Sequence, residues 1–425
     1  MTRPLPFRDS CAFCGERALE QIIDFGDMAL AGGFIKPEQF AAEPRYRLRV
    51  FFCTRCCTLQ LLDIADPAEL FSSYFYFSSA IRSLREHFHD YASEVVTRFL
   101  EPDRATVVEI GCNDGVLLKP LADHGVRTTI GVDPASNVVN SIADPRIKVV
   151  NDFFSAAIAA SIRTQHGPAD LVVANNVYAH IPEINDVTRG VAELLSEDGV
   201  FVFEVHYLGS VLRGLQYDMI YHEHLYYYSL LALENHLRRH GLVVFDLKRI
   251  PIHGGSIRYY VCKASSKWAK ALTNRVLMLR EDETSQRLDR VQTFQHFAAE
   301  IAERKGKLMS YLERLRRDRK RVAGYGASGR ANTIIQYCGI NHDHMDYMID
   351  DAPAKWGFYT PGSHFEIRSS EALRTDKPDC LIVFAWGYLS EIAEKCKPYL
   401  DAGGRLLTPL PEVRLMSHVN KGTPT

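Results

Sequence analysis

The sequence predicts an α/β protein built from two doubly wound parallel-sheet units, preceded by a small cysteine-bearing module. Three observations carry that expectation. Strand-length apolar runs alternate with amphipathic helical stretches, twice over. A glycine-rich loop joins the first strand of each run to a helix. Five of the ten cysteines fall between Cys11 and Cys57.

At 425 residues, with 46% hydrophobic and 24% charged side chains, the chain is long enough for two or three domains with full cores. Its 50 Lys and Arg against 52 Asp and Glu leave a net charge of −2. That balance argues against a nucleic-acid binder, which needs a basic footprint. No apolar run approaches the roughly 20 residues that cross a bilayer, and no membrane association is expected. The opening Met-Thr-Arg-Pro-Leu-Pro is too polar for a signal peptide. A cytoplasmic protein with reduced thiols is therefore expected, as a monomer or weak homo-oligomer.

Taken in order, residues 1–72 hold the cysteine pairs and the alternating Tyr46-Arg-Leu-Arg-Val-Phe-Phe52, which reads as a strand. Residues 73–255 begin with a helix, marked by Leu84, Phe88, Tyr91, Val95 and Phe99. Buried strands follow at Val107–Ile110, Thr128–Val132, Lys148–Val150, Leu171–Ala174 and Val200–Val205. Residues 256–425 open with an alternating strand at 256–262. One or two amphipathic helices between Leu288 and Leu315 come next. A second strand–loop–helix starts at Val322, with further strands at Asp346–Asp351, Cys380–Phe384 and Arg405–Leu407.

Cys11-Ala-Phe-Cys14 and Cys53-Thr-Arg-Cys56 make two CxxC knuckles, suited to converge four thiolates on one tetrahedral Zn²⁺. Cys57 is adjacent, but a spacing of two residues favours Cys56. Four thiolates leave no open coordination position, so the metal is structural, and it supplies folding energy to a module with little core. The alternative is unligated or redox-active thiols.

Glu109-Ile-Gly-Cys-Asn-Asp-Gly115 follows a buried strand and opens a helix, with Gly111 and Gly115 letting backbone approach a ligand closely. Asp133 ends the second strand, where a carboxylate can accept ribose hydroxyls. Asp152 and Phe153 follow the third, offering an acid and a ring to an adenine. This ordered set resembles class I S-adenosylmethionine (SAM)-dependent methyltransferases. The resemblance implies a cofactor site at Glu109, Gly111, Asn113, Gly115, Asp133, Asp152, Phe153 and Asn175. Another nucleotide on the same fold, or a degenerate site, is the alternative.

Beyond the fifth strand lies Tyr217-Asp-Met-Ile-Tyr-His-Glu-His224. Such a cluster offers a base near neutrality and phenol or imidazole donors for an oxyanion. A metal reading through His222 and His224 lacks the i, i+4 spacing of HExxH.

Together with Asn176-Val-Tyr-Ala-His180, His253-Gly-Gly-Ser256 and Gly324-Tyr-Gly-Ala-Ser-Gly329, these motifs resemble, over almost the whole chain, the sugar C-methyltransferases that act on nucleotide-linked 4-keto-6-deoxysugars. The resemblance implies that His224 is the active-site histidine, supported by Tyr221, Glu223 and His180. It also implies a tyrosine from the segment after the cysteine module, with Tyr76 chosen over Tyr74. Tyr226, Tyr227 and Tyr228 bear on the shape of the sugar pocket.

The second glycine loop is close to G-x-G-x-x-G, which on spacing alone suggests NAD. No hydride-transfer site accompanies it. The loop is expected to bind the diphosphate and nucleoside of the acceptor, with thymidine diphosphate the expected nucleotide. Gly326, Ser328, Arg330, Lys355 and Tyr359 are the candidate contacts. Competing functions are a sugar O- or N-methyltransferase, a non-catalytic sugar-nucleotide binder with a vestigial SAM fold, and an NAD-linked oxidoreductase.

Overall fold

A computed structural model describes residues 5–71, 77–252 and 254–417. The N-terminal module is an antiparallel sheet of β1 (Leu19–Met28), β2 (Tyr46–Cys53) and β3 (Leu59–Leu61). Along β2, Tyr46, Leu48 and Val50 turn inward and Arg47 outward, as the sequence alternation requires.

The central domain begins with helix α1 (Arg82–Phe99), which buries Leu84, Phe88, Tyr91 and Val95 at helical spacing. Its sheet is built from β4 (Thr106–Ile110), β5 (Thr128–Val132), β6 (Ile147–Val150), β7 (Ala169–Asn175) and β8 (Leu195–His206), with two later strands. A short strand, β9 (Tyr226–Tyr227), leaves this domain and pairs antiparallel with β3, extending the N-terminal sheet. β10 (Leu242–Ile250) and β11 (Ser256–Lys263) complete the central sheet in the order β10-β11-β8-β7-β4-β5-β6. Pairing is parallel except at β10/β11 and β11/β8. Because β11 sits in mid-sheet, the central domain runs past the boundary expected at residue 255. Strand order reverses at β4, which lies between β5 and β7. In open α/β sheets the crevice at such a reversal is the ligand site.

The C-terminal unit opens with one 27-residue helix, α2 (Val291–Arg317), whose Phe294 ring lies 4.6 Å from Phe52 of the first module. Strand β12 (Val322–Tyr325), helix α3 (Gly329–Cys338), β13 (Met348–Ile349), β14 (Ile367–Arg368), β15 (Cys380–Val383), β16 (Arg405–Thr408) and β17 (Arg414–Met416) follow. Their order is β14-β13-β12-β15-β16-β17, parallel except for the last pair. β13 is shorter than the expected Asp346–Asp351. Beyond Ile349, Asp350 accepts the Ala352 N–H in a local turn and Pro353 opens a 3-10 turn, so the chain leaves the ladder.

The three domains are not beads on a string. Helix α3 is hydrogen-bonded to the N-terminal module, Asn332 Nδ2 donating to Ala31 O at 2.6 Å and Gln336 Oε1 accepting from Ala29 N at 2.8 Å. Among the described residues, no helix is long and apolar enough to cross a membrane.

Candidate active site

The four cysteine sulfurs converge. Those of Cys11, Cys14, Cys53 and Cys56 all lie within 4.8 Å of one another, with Cys11–Cys56 at 3.4 Å and Cys14–Cys53 at 3.6 Å. A Zn–S bond of about 2.3 Å in a tetrahedron puts sulfurs about 3.8 Å apart, so the set fits zinc. Gln60 Nε2 donates to Cys11 Sγ at 3.1 Å, a backing contact that steadies a thiolate ligand. Cys57 does not join the cluster; its backbone turns at φ 64°.

At the β4/β7 crevice, the carboxyl ends of the strands present polar atoms that are buried yet without a protein partner: Glu109 Oε2, Asp114 Oδ1, Asn175 Oδ1 and Asn176 Oδ1. Buried polar atoms are normally satisfied, so the group could hold a polar ligand. Burial holds the Glu109 carboxyl well above the usual carboxylate range, and Asn175 Nδ2 donates to its other oxygen at 3.4 Å. Gly111 has φ 69°, and a Cβ there would come within 2.8 Å of Val177 Cγ2. Asp133 accepts Asn113 N–H at 3.0 Å and Ala135 N–H at 2.9 Å, one on each oxygen. Each oxygen keeps a second lone pair for a ribose hydroxyl. Gly115 turns the chain at φ 77°. Asp152 and Phe153 are exposed at the edge, Phe153 at 40%, so its ring face is open to a base. These residues fit an adenosine-bearing cofactor. Asp114, not foreseen from the sequence, also accepts the Ser79 N–H at 3.0 Å.

The His-rich segment lies where all three domains meet. His224 is buried, and its Nδ1 lies 2.7 Å from Met219 O. A carbonyl only accepts, so Nδ1 carries the proton and the basic lone pair resides on Nε2. Around its ring stand Tyr221 at 4.1 Å, His206 at 4.7 Å and His180 at 5.0 Å between centroids. Burial pushes His180 down to about 4, so it is neutral near pH 7. Burial pushes Glu223 up to about 7; the N-terminal module helps cover it, since a Cβ on Gly32 would lie 2.9 Å from Glu223 Oε1. His222 faces the other way, with Nε2 3.3 Å from both Tyr46 O and Arg47 O. It anchors the segment to β2 and is not part of a metal cluster among the described residues. His206, at the end of β8, was the residue the sequence pattern did not single out. Tyr74 and Tyr76 lie outside the described residues.

Tyr226, Tyr227 and Tyr228 are almost fully buried. Tyr226 donates to Pro182 O and Tyr228 to Tyr178 O. The first of these contacts joins the N-terminal sheet to the central domain, and the second lies within the central domain.

In the second glycine loop, Gly326 has φ 93°, and a Cβ would meet Ala385 Cβ at 2.6 Å. Ser328 caps α3, its hydroxyl accepting from Ala331 N. A Cβ at Gly329 would lie 3.8 Å from the Tyr221 ring, so loop and His-rich segment are neighbours. Arg330 Nε donates to Asp218 Oδ2 at 2.8 Å. Lys355 Nζ donates to Ala327 O at 2.7 Å and pairs with Asp350 at 3.1 Å. Tyr359 is engaged elsewhere: its backbone pairs with Ile35 and its ring packs on Phe40 at 5.1 Å.

The fold and the two sites define a class I SAM-dependent methyltransferase carrying a zinc module and a second Rossmann-like unit. The comparisons agree part by part. Residues 11–71 match the family model "Putative zinc binding domain", residues 84–247 a methyltransferase domain, and residues 251–411 a C-methyltransferase C-terminal domain. The chain is 33% identical over 418 residues to the C-methyltransferase NovU of Streptomyces niveus, covering 98% of each. It belongs to the C-methyltransferase family. Among solved structures, the CcbJ methyltransferase of Streptomyces caelestis aligns at TM-score 0.34 and 16% identity, over 41% of this chain and 89% of its own. Magnesium protoporphyrin IX methyltransferase of Synechocystis, solved with bound SAH, aligns at 0.32 and 15%, over 42% and 82%. Those likenesses are too slight to add to the assignment.

Proposed function

We propose that the chain methylates the carbon next to the ketone of a nucleotide-linked 4-keto-6-deoxysugar, with His224 as the base. The observation that carries the reading is the Met219 carbonyl on His224 Nδ1, which fixes the tautomer whose Nε2 takes a proton. Carbon beside a ketone becomes nucleophilic only as an enolate. His224 Nε2 removes the α-proton, and the electron pair moves onto the ketone oxygen. Tyr221 and neutral His180, both beside His224, are the donors toward that oxygen, and Glu223, whose carboxyl burial pushes up to about 7, stands next to His224 in the chain. Loss of one such donor typically costs about 3 kcal/mol of barrier. The Glu109–Gly115 loop, Asp133, Asp152, Phe153 and Asn175 would hold SAM, which when bound would supply the electrophilic methyl to the enolate carbon as its methyl–sulfur bond breaks and S-adenosylhomocysteine leaves.

The acceptor's diphosphate is assigned to the N-terminus of α3, where orphan backbone N–H groups and the helix dipole favour an anion. Ser328 shapes that turn, and Arg330 and Lys355 stand beside it. Thymidine diphosphate is the nucleotide proposed. The proximity of Gly329 to Tyr221 supports this placement, because a sugar attached to that diphosphate is then within reach of His224.

The test is deuterium wash-in. In D₂O, with a SAM analogue that cannot transfer, the wild type should exchange the hydrogen on the carbon beside the ketone. His224→Asn should lose at least a hundredfold of that exchange. Exchange at the wild-type rate in His224→Asn would place the base elsewhere.

A further inference from the structure

The turn that carries Met219 is held by the C-terminal unit at Tyr217, Asp218 and Ile220, the first two through side chains and the last through its carbonyl. Its neighbour Asp218 is fully buried, with Oδ2 accepting from Arg330 Nε at 2.8 Å and from Trp386 Nε1 at 2.9 Å. Arg330 also lies over the Trp386 ring, at 5.0 Å from its centroid. On one side of Asp218, the Tyr217 hydroxyl is 3.5 Å from Cys338 Sγ; on the other, Thr333 Oγ1 donates to Ile220 O at 3.2 Å. Cys338 and Thr333 both belong to α3. Asp218 Oδ1 and Arg330 Nη2 are buried and lack hydrogen-bond partners. Nη2 does sit 2.8 Å from Oδ2, but off the hydrogen-bond direction, so the contact is a charge pair rather than a second hydrogen bond.

A buried carboxylate is costly unless paired, and breaking such a pair is strongly destabilising locally. Asp218 therefore holds its turn wherever Arg330 and Trp386 are. One residue on, Met219 O receives the proton-bearing nitrogen of His224.

We propose that Asp218 is a positioning residue, through which the C-terminal unit sets the orientation and tautomer of His224. The path is short: Arg330 and Trp386 fix Asp218, Asp218 fixes the turn Tyr217–Met219, and the Met219 carbonyl fixes the imidazole. Arg330 sits at the N-terminus of α3, where the acceptor diphosphate is assigned. Its buried Nη2 has no hydrogen-bond acceptor, so occupancy there and readiness of the base share one side chain. This inference rests on His224 being the base.

Among the described residues, the titratable rings packed on His224 include Tyr221, His206 and His180. Asp218 is bonded to Arg330 and Trp386, and its influence on His224 runs through the backbone. Asp218→Asn keeps the size and one acceptor but removes the charge that holds Arg330. It should lower α-hydrogen exchange at least tenfold while zinc content stays at one per chain and SAM affinity stays within twofold. Nitrogen-15 NMR of histidine-labelled protein, with the His224 signal assigned by its loss in His224→Asn, should show a single Nδ1–H tautomer in the wild type. Asp218→Asn should show a mixture. Should Asp218→Asn fail to fold, Trp386→Phe removes one donor from a half-buried position and should produce the same two changes to a smaller degree. Wild-type exchange and an unmixed tautomer in either folded variant would overturn the proposal. A His224→Asn enzyme that still exchanges would instead overturn the base assignment, so the two failures are separable.

Discussion

Glu223 is a carboxyl in a dry place, pushed up to about 7 by burial. The sign of its effect on stability follows. Between its unfolded value near 4.5 and about 7, the folded protein holds a proton that the unfolded chain has lost. Its contribution is thus present in full below the unfolded value and is lost as pH rises through about 7. A shift of that size corresponds to about 3 kcal/mol. Glu223→Gln should melt close to the wild type at pH 5 and above it at pH 8; identical melting shifts at both pH values would show that Glu223 is not desolvated. Asp133 makes a second prediction at this scale. Its carboxylate accepts Asn113 N–H and Ala135 N–H at the strand end where the SAM ribose is proposed to bind. Asp133→Ala should weaken SAM binding at least tenfold by calorimetry, with zinc content unchanged. The carboxylate at this strand end was legible in the sequence because chemistry and position coincide there. His206 was not: its role comes from β8 ending beside His224, a neighbour 18 residues further on.

Elements decide which residues can meet. Most strands are where apolar runs placed them; β5, for one, spans the expected Thr128–Val132. The departures share a cause in tertiary pairing. Strand β9 borrows Tyr226 and Tyr227 from the segment after His224 to extend the sheet of another domain, a pairing set by β3 rather than by local pattern. Tyr226 and Tyr227 thereby take part in an interdomain seam. Arg330 shows the same thing: as a cation beside a glycine loop it suggests a phosphate ligand, yet its fixed partner is Asp218, 112 residues earlier. Helix α3 gives a test at this scale. Ser328→Ala removes the cap on Ala331 N–H and should cost about 1 kcal/mol in denaturant unfolding. It should also raise KM for the sugar nucleotide with little change in SAM affinity. A wild-type KM would mean that the acceptor diphosphate does not use this helix end.

At the scale of the molecule, the zinc centre and the His-rich segment are mechanically joined. β3 lies between β2 and β9, and β2 carries Cys53 and receives His222 at its Tyr46 and Arg47 carbonyls. Zinc has no open position for chemistry, but its removal should loosen the strand on which the His-rich segment rests. Wild-type protein should hold one zinc per chain, and chelation should abolish methyl transfer in step with metal loss while hydrogen exchange at Tyr226 and Tyr227 accelerates. Full activity after complete zinc removal would uncouple the two. The CxxC pairs made the metal legible, since spacing alone fixes what four thiolates can bind. The meeting of three domains around residues 217–228 was not, because it depends on contacts across more than a hundred residues, such as Thr333 with Ile220.

The most direct test of the account is the position of the transferred methyl. The protein, with SAM carrying a carbon-13 methyl, is given thymidine-diphosphate 4-keto-6-deoxysugars, and the product is assigned by NMR. The account predicts a methyl bonded to the ring carbon beside the ketone, with one carbon–carbon coupling path and loss of that carbon's hydrogen. A labelled methyl bonded to oxygen or nitrogen, or no transfer to any keto sugar nucleotide, would contradict it.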